Sequence, residues 1–529
     1  MNSKKDIQNH VELLQKGNKG LFGLSILVGI VTGITVSLYR YGLSFAEILR
    51  NRYINKDLLT NPGKLIFIWL IFIAIGLFVD YISKKFPTTG GSGIPQVKAL
   101  ILRKLDYLFW PKELLVKFFG GLLGIGAGLS LGREGPSVQL GSYIGYGFTK
   151  IFKRDYVDEK YLVTAGSSAG LAGAFGAPLS GVIFSMEELH RFFSSKLIIC
   201  TFLASICSNF VSRRIFDMKP SFDLYTKYPT NVNPYLQFLF FIAFGIILAF
   251  FGKLFTVSLT KTQDIFRDIK LPRAFKISSV MTLSFIICFV MPDMAGGGHH
   301  LVEEMPHINQ TILFLLFLFI VKLFFTTISY ATGFQGGIFL PMLVLGAILG
   351  KIYALILVSG FGLGHEFIIH YMILGMAGFF VAVVRAPITG VILILEMTGS
   401  FDHLLAIATV SIVAYYITEL LKLEPIYEIL YERMPKKKID DDLEEERHEQ
   451  MEKTIICIPI SADSELENKL IKEVNWPKNS LVIAIRRAET EYIPRGNSRI
   501  LAGDVIVLLL SRKQADIYNE ELFKMGVSH

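Results

Sequence analysis

The chain has 529 residues, 52% of them hydrophobic and only 19% charged. Long apolar runs broken by short polar stretches exclude an ordinary soluble protein and point to a polytopic membrane protein. The net charge of +8 comes without a basic stripe interleaved with aromatics, which argues against a nucleic-acid partner and fits anchoring at a lipid bilayer.

Forty-three Phe and 46 Gly suit membrane helices, where glycine lets backbones approach closely. Residues 1–19 are polar and carry Lys4, Lys5, Lys16 and Lys19 ahead of a first apolar run long enough to be retained as a helix rather than removed as a signal peptide. Apolar segments able to cross or nearly cross a bilayer follow at about 20–45, 64–82, 112–130, 197–215, 235–260, 275–292, 310–330, 338–358, 366–384 and 403–422. Residues 132–147 and 161–186, crowded with Gly, Ser and Ala, and the run from Pro87 to Pro95 suit short, broken helices that end inside the membrane. Irregular backbone is stable there only when buried in protein or lining a cavity.

Lys436, Lys437 and Lys438 follow the last span, and with the amino-terminal lysines they place both termini in the cytoplasm. The charge run 435–453 reads as a linker between a membrane domain, 20–434, and a small soluble α/β-type domain, 454–529. In that domain strands are expected at Thr454–Pro459, Ser480–Ile485 and Val505–Leu510, with a helix at about 464–474. Cys200, Cys207, Cys288 and Cys457 show no paired spacing; Cys200 and Cys207 share one face of an apolar helix and read as small buried hydrophobes.

An internal repeat organises the membrane domain. Ala177-Pro178-Leu179-Ser180-Gly181-Val182-Ile183-Phe184-Ser185-Met186-Glu187 matches Ala386-Pro387-Ile388-Thr389-Gly390-Val391-Ile392-Leu393-Ile394-Leu395-Glu396, and each copy follows a Gly/Pro motif, Gly132 to Pro136 or Gly336 to Pro341. Two homologous halves with interrupted helices at corresponding positions indicate a transporter whose site lies at the repeat interface. Within the first motif, Glu134 is a carboxylate in apolar sequence. Such a group costs several kcal/mol at membrane depth unless paired, protonated or facing a water-filled path, which marks it as functional.

Gly91-Ser92-Gly93-Ile94-Pro95, Gly132-Arg133-Glu134-Gly135-Pro136 and Gly337-Ile338-Phe339-Leu340-Pro341 resemble, in order and separation, the three signature motifs of the CLC family of chloride channels and proton/chloride antiporters. Tyr427 stands where that family's anion-site tyrosine is expected, and the resemblance covers roughly 20–431. It implies an all-α membrane domain of inverted repeats with broken helices, assembled as a homodimer in the cell membrane. It also implies a chloride held by the Ser92 and Tyr427 hydroxyls and the Ile338 and Phe339 N–H groups, with an outer site using backbone near Glu134 and Gly135. Physically, glycine-rich helix starts offer free N–H groups and a favourable dipole without a full charge that would trap the ion.

By the same resemblance, Glu134 is the gating and external proton glutamate, and Glu188 the internal proton-transfer residue. An acid at position 188 favours proton/chloride exchange over a passive voltage- or pH-gated chloride channel, and Ser92 favours chloride over nitrate. The bland reading of Glu187 and Glu188 is a solvated helix end; Glu187, matched by Glu396 in the repeat, reads as structural. Arg133 is assigned to local structure and field.

No cofactor or metal is implied, and a transporter rather than an enzyme is expected. The tail is similar to the TrkA-C regulatory domain through Ile485-Arg486-Arg487, Ile493-Pro494-Arg495-Gly496 and Ala502-Gly503-Asp504, which suggests an unidentified anionic regulatory ligand or, equally, a surface turn. A remote alternative is an intramembrane serine protease using Ser92 with His299 or His300 as base. These histidines follow three glycines in an expected loop with no third metal ligand nearby in sequence.

Overall fold

The computed structural model describes residues 2–55, 58, 60–107, 109–191, 193–217, 222, 224, 226, 228, 229, 232–399, 401–434, 453–478, 480–487, 490–511, 518 and 521–527. The expected linker, with Lys436, Lys437 and Lys438, lies outside these residues except for Lys453, and the side chains of residues 1–19 lie outside them too. The chain divides into two compact units, Met1–Met434 and Pro435–His529.

The first unit is helical throughout. Its helices are α1 (Asn2–Tyr53), α2 (Pro62–Lys85), α3 (Ile94–Ile101), α4 (Trp110–Gly126), α5 (Glu134–Ile151), α6 (Tyr156–Phe175), α7 (Pro178–Phe184), α8 (Ser195–Phe210) and α9 (Pro234–Asp268). They continue with α10 (Arg273–Val290), α11 (His299–Glu304), α12 (Ile312–Ala331), α13 (Phe339–Phe361), α14 (Phe367–Val384), α15 (Pro387–Thr398), α16 (Leu404–Leu420) and α17 (Ile426–Glu432).

Among the described residues, nine helical segments are long and apolar enough to cross a membrane. The expected span at 112–130 is not one of them: α4 ends at Gly126 after 17 residues and carries buried Glu113 and Lys117. Of the two glycine-rich stretches, one differs from expectation. Residues 134–151 form one unbroken helix, whereas 161–186 does break, at Gly176 in the left-handed region, before α7 starts at Pro178.

Burial separates core from rim. The apolar window of α14 is 94% buried and that of α2 only 28%, so α14 sits at the centre while α2 turns Phe67, Leu70 and Phe78 outward, as lipid-facing helices do. Close packing at the centre depends on glycine. A Cβ on Gly141 would strike the Gly166 carbonyl in the α5–α6 pair, and one on Gly346 would strike the Gly375 carbonyl in the α13–α14 pair.

These pairs are copies of one another, and the two copies are related by a local two-fold. Gly132 and Gly337, which correspond in the repeat, form an antiparallel bridge with N···O distances of 2.6 and 2.8 Å. Glu187 accepts from Thr389 N–H and its hydroxyl, both at 2.7 Å, while its counterpart Glu396 accepts from Ser180 N–H at 2.8 Å and its hydroxyl at 2.5 Å. Each carboxylate caps the helix start of the other half, where the dipole favours negative charge.

The symmetry reaches further than the sequence match indicated. Lys117 holds the Thr89 and Gly91 carbonyls at 2.9 and 2.8 Å, and Lys322 holds the corresponding Met294 and Gly296 carbonyls at 2.9 and 3.1 Å. The loop leading into α3 therefore has a structural twin leading into α11.

In the second unit, β1 (Lys453–Pro459), β2 (Leu481–Arg487), β3 (Thr490–Tyr492) and β4 (Asp504–Ser511) form an antiparallel sheet in the order β1-β4-β2-β3, with a register shift between Val482 and Ala484. Ile456, Ile458, Ile506 and Leu508 build its core. The helix expected at 464–474 is replaced by turns and a single 3-10 turn at Ile471–Glu473. The N–H groups of Asn468, Ile471 and Lys472 are spent on the carbonyls of Ile500, Ser498 and Gly496 rather than within a helix.

Candidate functional site

Three Gly/Pro loops meet inside the first unit because backbone hydrogen bonds stitch them together. Gly91 N–H donates to Gly333 O and Gly336 N–H donates to Gly91 O, each at 3.1 Å, which joins the Ser92 loop to the start of α13; the Gly132–Gly337 bridge joins the Glu134 loop to the same place. The amino ends of α3, α5 and α13 thereby converge, as a site built from helix dipoles requires. Gly135 packs so tightly on the Ser92 loop that a Cβ there would stand 2.5 Å from Ser92 Oγ.

The residues assigned from the sequence to the anion and proton sites are all buried. Glu134, Gly135, Ile338, Phe339 and Tyr427 are inaccessible, and Ser92 and Glu188 nearly so. The Ser92 Oγ and Tyr427 hydroxyls are buried without a hydrogen-bond partner in the protein. Orphaned buried donors are expensive, about 1–3 kcal/mol each, and two of them beside helix amino ends suit a dehydrated anion. Tyr427 also lies within electrostatic reach of both Glu134 and Glu188.

The Glu134 carboxylate occupies the space beside Gly132 and the Leu340 N–H at the start of α13, with neither oxygen in full hydrogen-bond geometry. A carboxylate seated at a helix amino end is itself an anion in an anion site. Glu188 is held elsewhere, on a π-helical turn, Ser185–His190, that continues α7. Such turns are rare and cluster at functional sites. This turn sends the neighbours Glu187 and Glu188 to different tasks. Glu187 caps α15, while Glu188 Oε1 lies 3.9 Å from Lys98 Nζ.

Sequence reading missed Lys98, Glu428 and Tyr330. Lys98, buried on α3, pairs with Glu428, which also binds Arg191 at 3.0 Å and is partly exposed. The Tyr330 hydroxyl points at the Ser92 loop, 3.5 Å from where a Cβ on Gly91 would stand. Only the position of Glu428, directly after Tyr427, could have drawn attention from sequence.

Ser92 has Gly135, Gly93 and Tyr330 around it, whereas His299 and His300 begin α11 beside Glu47, so the described contacts give no serine–histidine pair. In the second unit, Arg487 binds Asp504 through two 2.8 Å hydrogen bonds and Arg486 binds Glu491 at 2.8 Å. Both arginines serve the domain's own turns. Cys200 is buried and Cys207 half-buried on α8, and all four cysteines are unpaired.

The family profile described as voltage gated chloride channel matches residues 75–419, and the TrkA-C domain profile matches 456–520. A curated relative named H(+)/Cl(-) exchange transporter ClcA, from Vibrio cholerae serotype O1, is 32% identical over 445 residues, covering 81% of this chain and 92% of the relative. The crystal structure of a slow cyanobacterial Cl−/H+ antiporter superposes with a TM-score of 0.71 at 29% identity, covering 78% of this chain and 97% of that one. That of a eukaryotic CLC transporter shares the fold with a TM-score of 0.65 at 21% identity, over 78% and 73% of the two chains. The chain thus belongs to the voltage gated chloride channel family and carries a TrkA-C domain after its membrane unit.

Proposed function

We propose that this protein exchanges chloride for protons across the cell membrane, with Glu134 as the gate. The observation that carries the proposal is the fully buried Glu134 carboxylate seated at the amino end of α13, where a transported anion would otherwise sit. Ionised, it competes with chloride for the same donors; protonated, it loses its charge and has no reason to stay. One group thereby links proton binding to anion occupancy.

Chloride beyond the gate is held by the Ser92 and Tyr427 hydroxyls and the N–H groups of Ile338 and Phe339, with backbone near Gly135 serving the outer position. Glu188 passes the proton on the other side. Its burial next to Lys98, which pairs with the partly exposed Glu428, supports a proton route separate from the anion path. This feature favours exchange over a passive channel, which has no use for a second buried acid. The protein works as a homodimer with both termini in the cytoplasm, and the TrkA-C domain regulates transport by binding a small ligand.

The test uses sealed liposomes containing the full chain. An imposed chloride gradient drives uphill proton movement in an exchanger; chloride flux with no proton movement would contradict the proposal.

A further inference from the structure

One ion pair ties together the two helices next to the Ser92 and Tyr427 hydroxyls. Ser92 stands just before α3, whose second turn carries Lys98, and Tyr427 lies in the first turn of α17 with Glu428 next to it. The Lys98 ammonium donates to Glu428 Oε2 and so joins α3 to α17, close in sequence to both hydroxyls.

We propose that this pair latches the mouth of the pathway that lies away from Glu134, and that ionised Glu188 loosens the latch by drawing Lys98 toward itself.

Lys98 stands between two carboxylates of unequal need. Its Nζ bonds Glu428 and lies 3.9 Å from Glu188 Oε1, a buried oxygen with no hydrogen-bond partner in the protein. A shift of about 1 Å would bring that oxygen into hydrogen-bond range. The Lys98 and Glu188 side chains are 6% and 4% exposed, so little water screens their attraction. Glu428 is 26% exposed and also binds Arg191 at 3.0 Å, whereas among the described ion pairs Glu188 has only Lys98. Glu428 can therefore release Lys98 and keep a cation.

The charges set the direction. With Glu188 protonated, Lys98 has one carboxylate to serve and α3 stays tied to α17. With Glu188 ionised, two carboxylates compete for one ammonium, the hold on α17 weakens, and the Ser92 and Tyr427 hydroxyls are free to part. The other charged or titratable groups facing Glu188 are Glu187 and Arg191 from its own turn and Tyr427 on α17. Glu187 is taken by the cap on α15 and Arg191 by Glu428. Helix α6, also packed on this turn, supplies Thr164, which bonds His190 at 2.7 Å.

The experiment reads chloride flux through the full chain in sealed liposomes in the Glu134→Gln background, where no carboxylate competes at the outer position. The role of Glu188 rests on the exchange reading, whereas chloride flux alone tests the latch whether or not the wild type moves protons. Adding Glu428→Gln should raise flux about fivefold or more, a gain that unfolding cannot mimic. Lys98 keeps Glu188 as a partner in that variant, so no buried cation is stranded. Adding Arg191→Gln, which removes the other cation on Glu428 without touching α3, should not raise flux. Unchanged or lower flux with Glu428→Gln, or an equal rise with Arg191→Gln, overturns the latch. With the same pH on both sides, flux in the background protein should climb about threefold or more as Glu188 ionises, and adding Glu188→Gln or Lys98→Met should flatten the climb. A flat profile in the background protein, or a climb that survives either substitution, overturns the link to Glu188.

Discussion

The two halves of the membrane unit share a backbone and differ in chemistry. Gly132 pairs with Gly337, Glu187 and Glu396 cap each other's partner helices, and Lys117 and Lys322 hold equivalent carbonyls. Yet the position of Glu134 in the first half is Phe339 in the second, and that of Glu188 is Met397. Symmetric pairs build the scaffold, and the two acids to which we assign the proton, Glu134 and Glu188, both stand opposite an apolar residue of the other half. The comparison teaches where to look for function in a duplicated fold: at buried acids that one half has and the other lacks, once those tied up in ion pairs, such as Asp80 with Lys84 and Arg273, are set aside.

The largest effects should come from erasing that asymmetry. Glu188→Met, which installs the second half's residue, should cut chloride-driven proton movement in liposomes by about tenfold or more while chloride flux persists. Coupling retained at the wild-type ratio would remove Glu188 from the proton route.

Symmetric residues should instead affect stability in matched pairs. Lys117→Met and Lys322→Met each strip the donor from two buried carbonyls, an expected loss of roughly 2 kcal/mol apiece in thermal unfolding of the purified protein. A loss confined to one of them would show that only one half needs its pinned loop. The smallest effects belong to the caps. Glu187→Ala and Glu396→Ala should each cost about 1 kcal/mol and leave the proton-to-chloride ratio unchanged. Loss of coupling in Glu187→Ala alone would mean that the two neighbours on the π-helical turn share one task.

The motif loops were legible in the sequence because chemistry at a helix start demands Gly and Pro, which stand out against apolar surroundings. The Ala177–Glu187 repeat was legible for the same reason. The wider symmetry was not: the loops ending at Gly93 and Gly298 share little beyond a proline and glycines, and a lone lysine such as Lys117 or Lys322 shows its partner only once its carbonyls are in place. Similarity between segments also carries no direction, so the two-fold relation needed the Gly132–Gly337 bridge. Pairing across long sequence distance explains the remaining misses, Glu47 beside His299 and Lys98 beside Glu188. In the second unit, local pattern favoured a helix at 464–474, but contacts with residues 496–500 took its backbone donors.

The most direct measurement of the central claim is the simultaneous recording of chloride and proton flux through Glu134→Gln in sealed liposomes. A neutral side chain of the same size cannot act as a protonatable anion, so the account predicts persistent chloride flux with proton movement reduced to the leak of empty vesicles. Proton movement still driven uphill by the chloride gradient would contradict it.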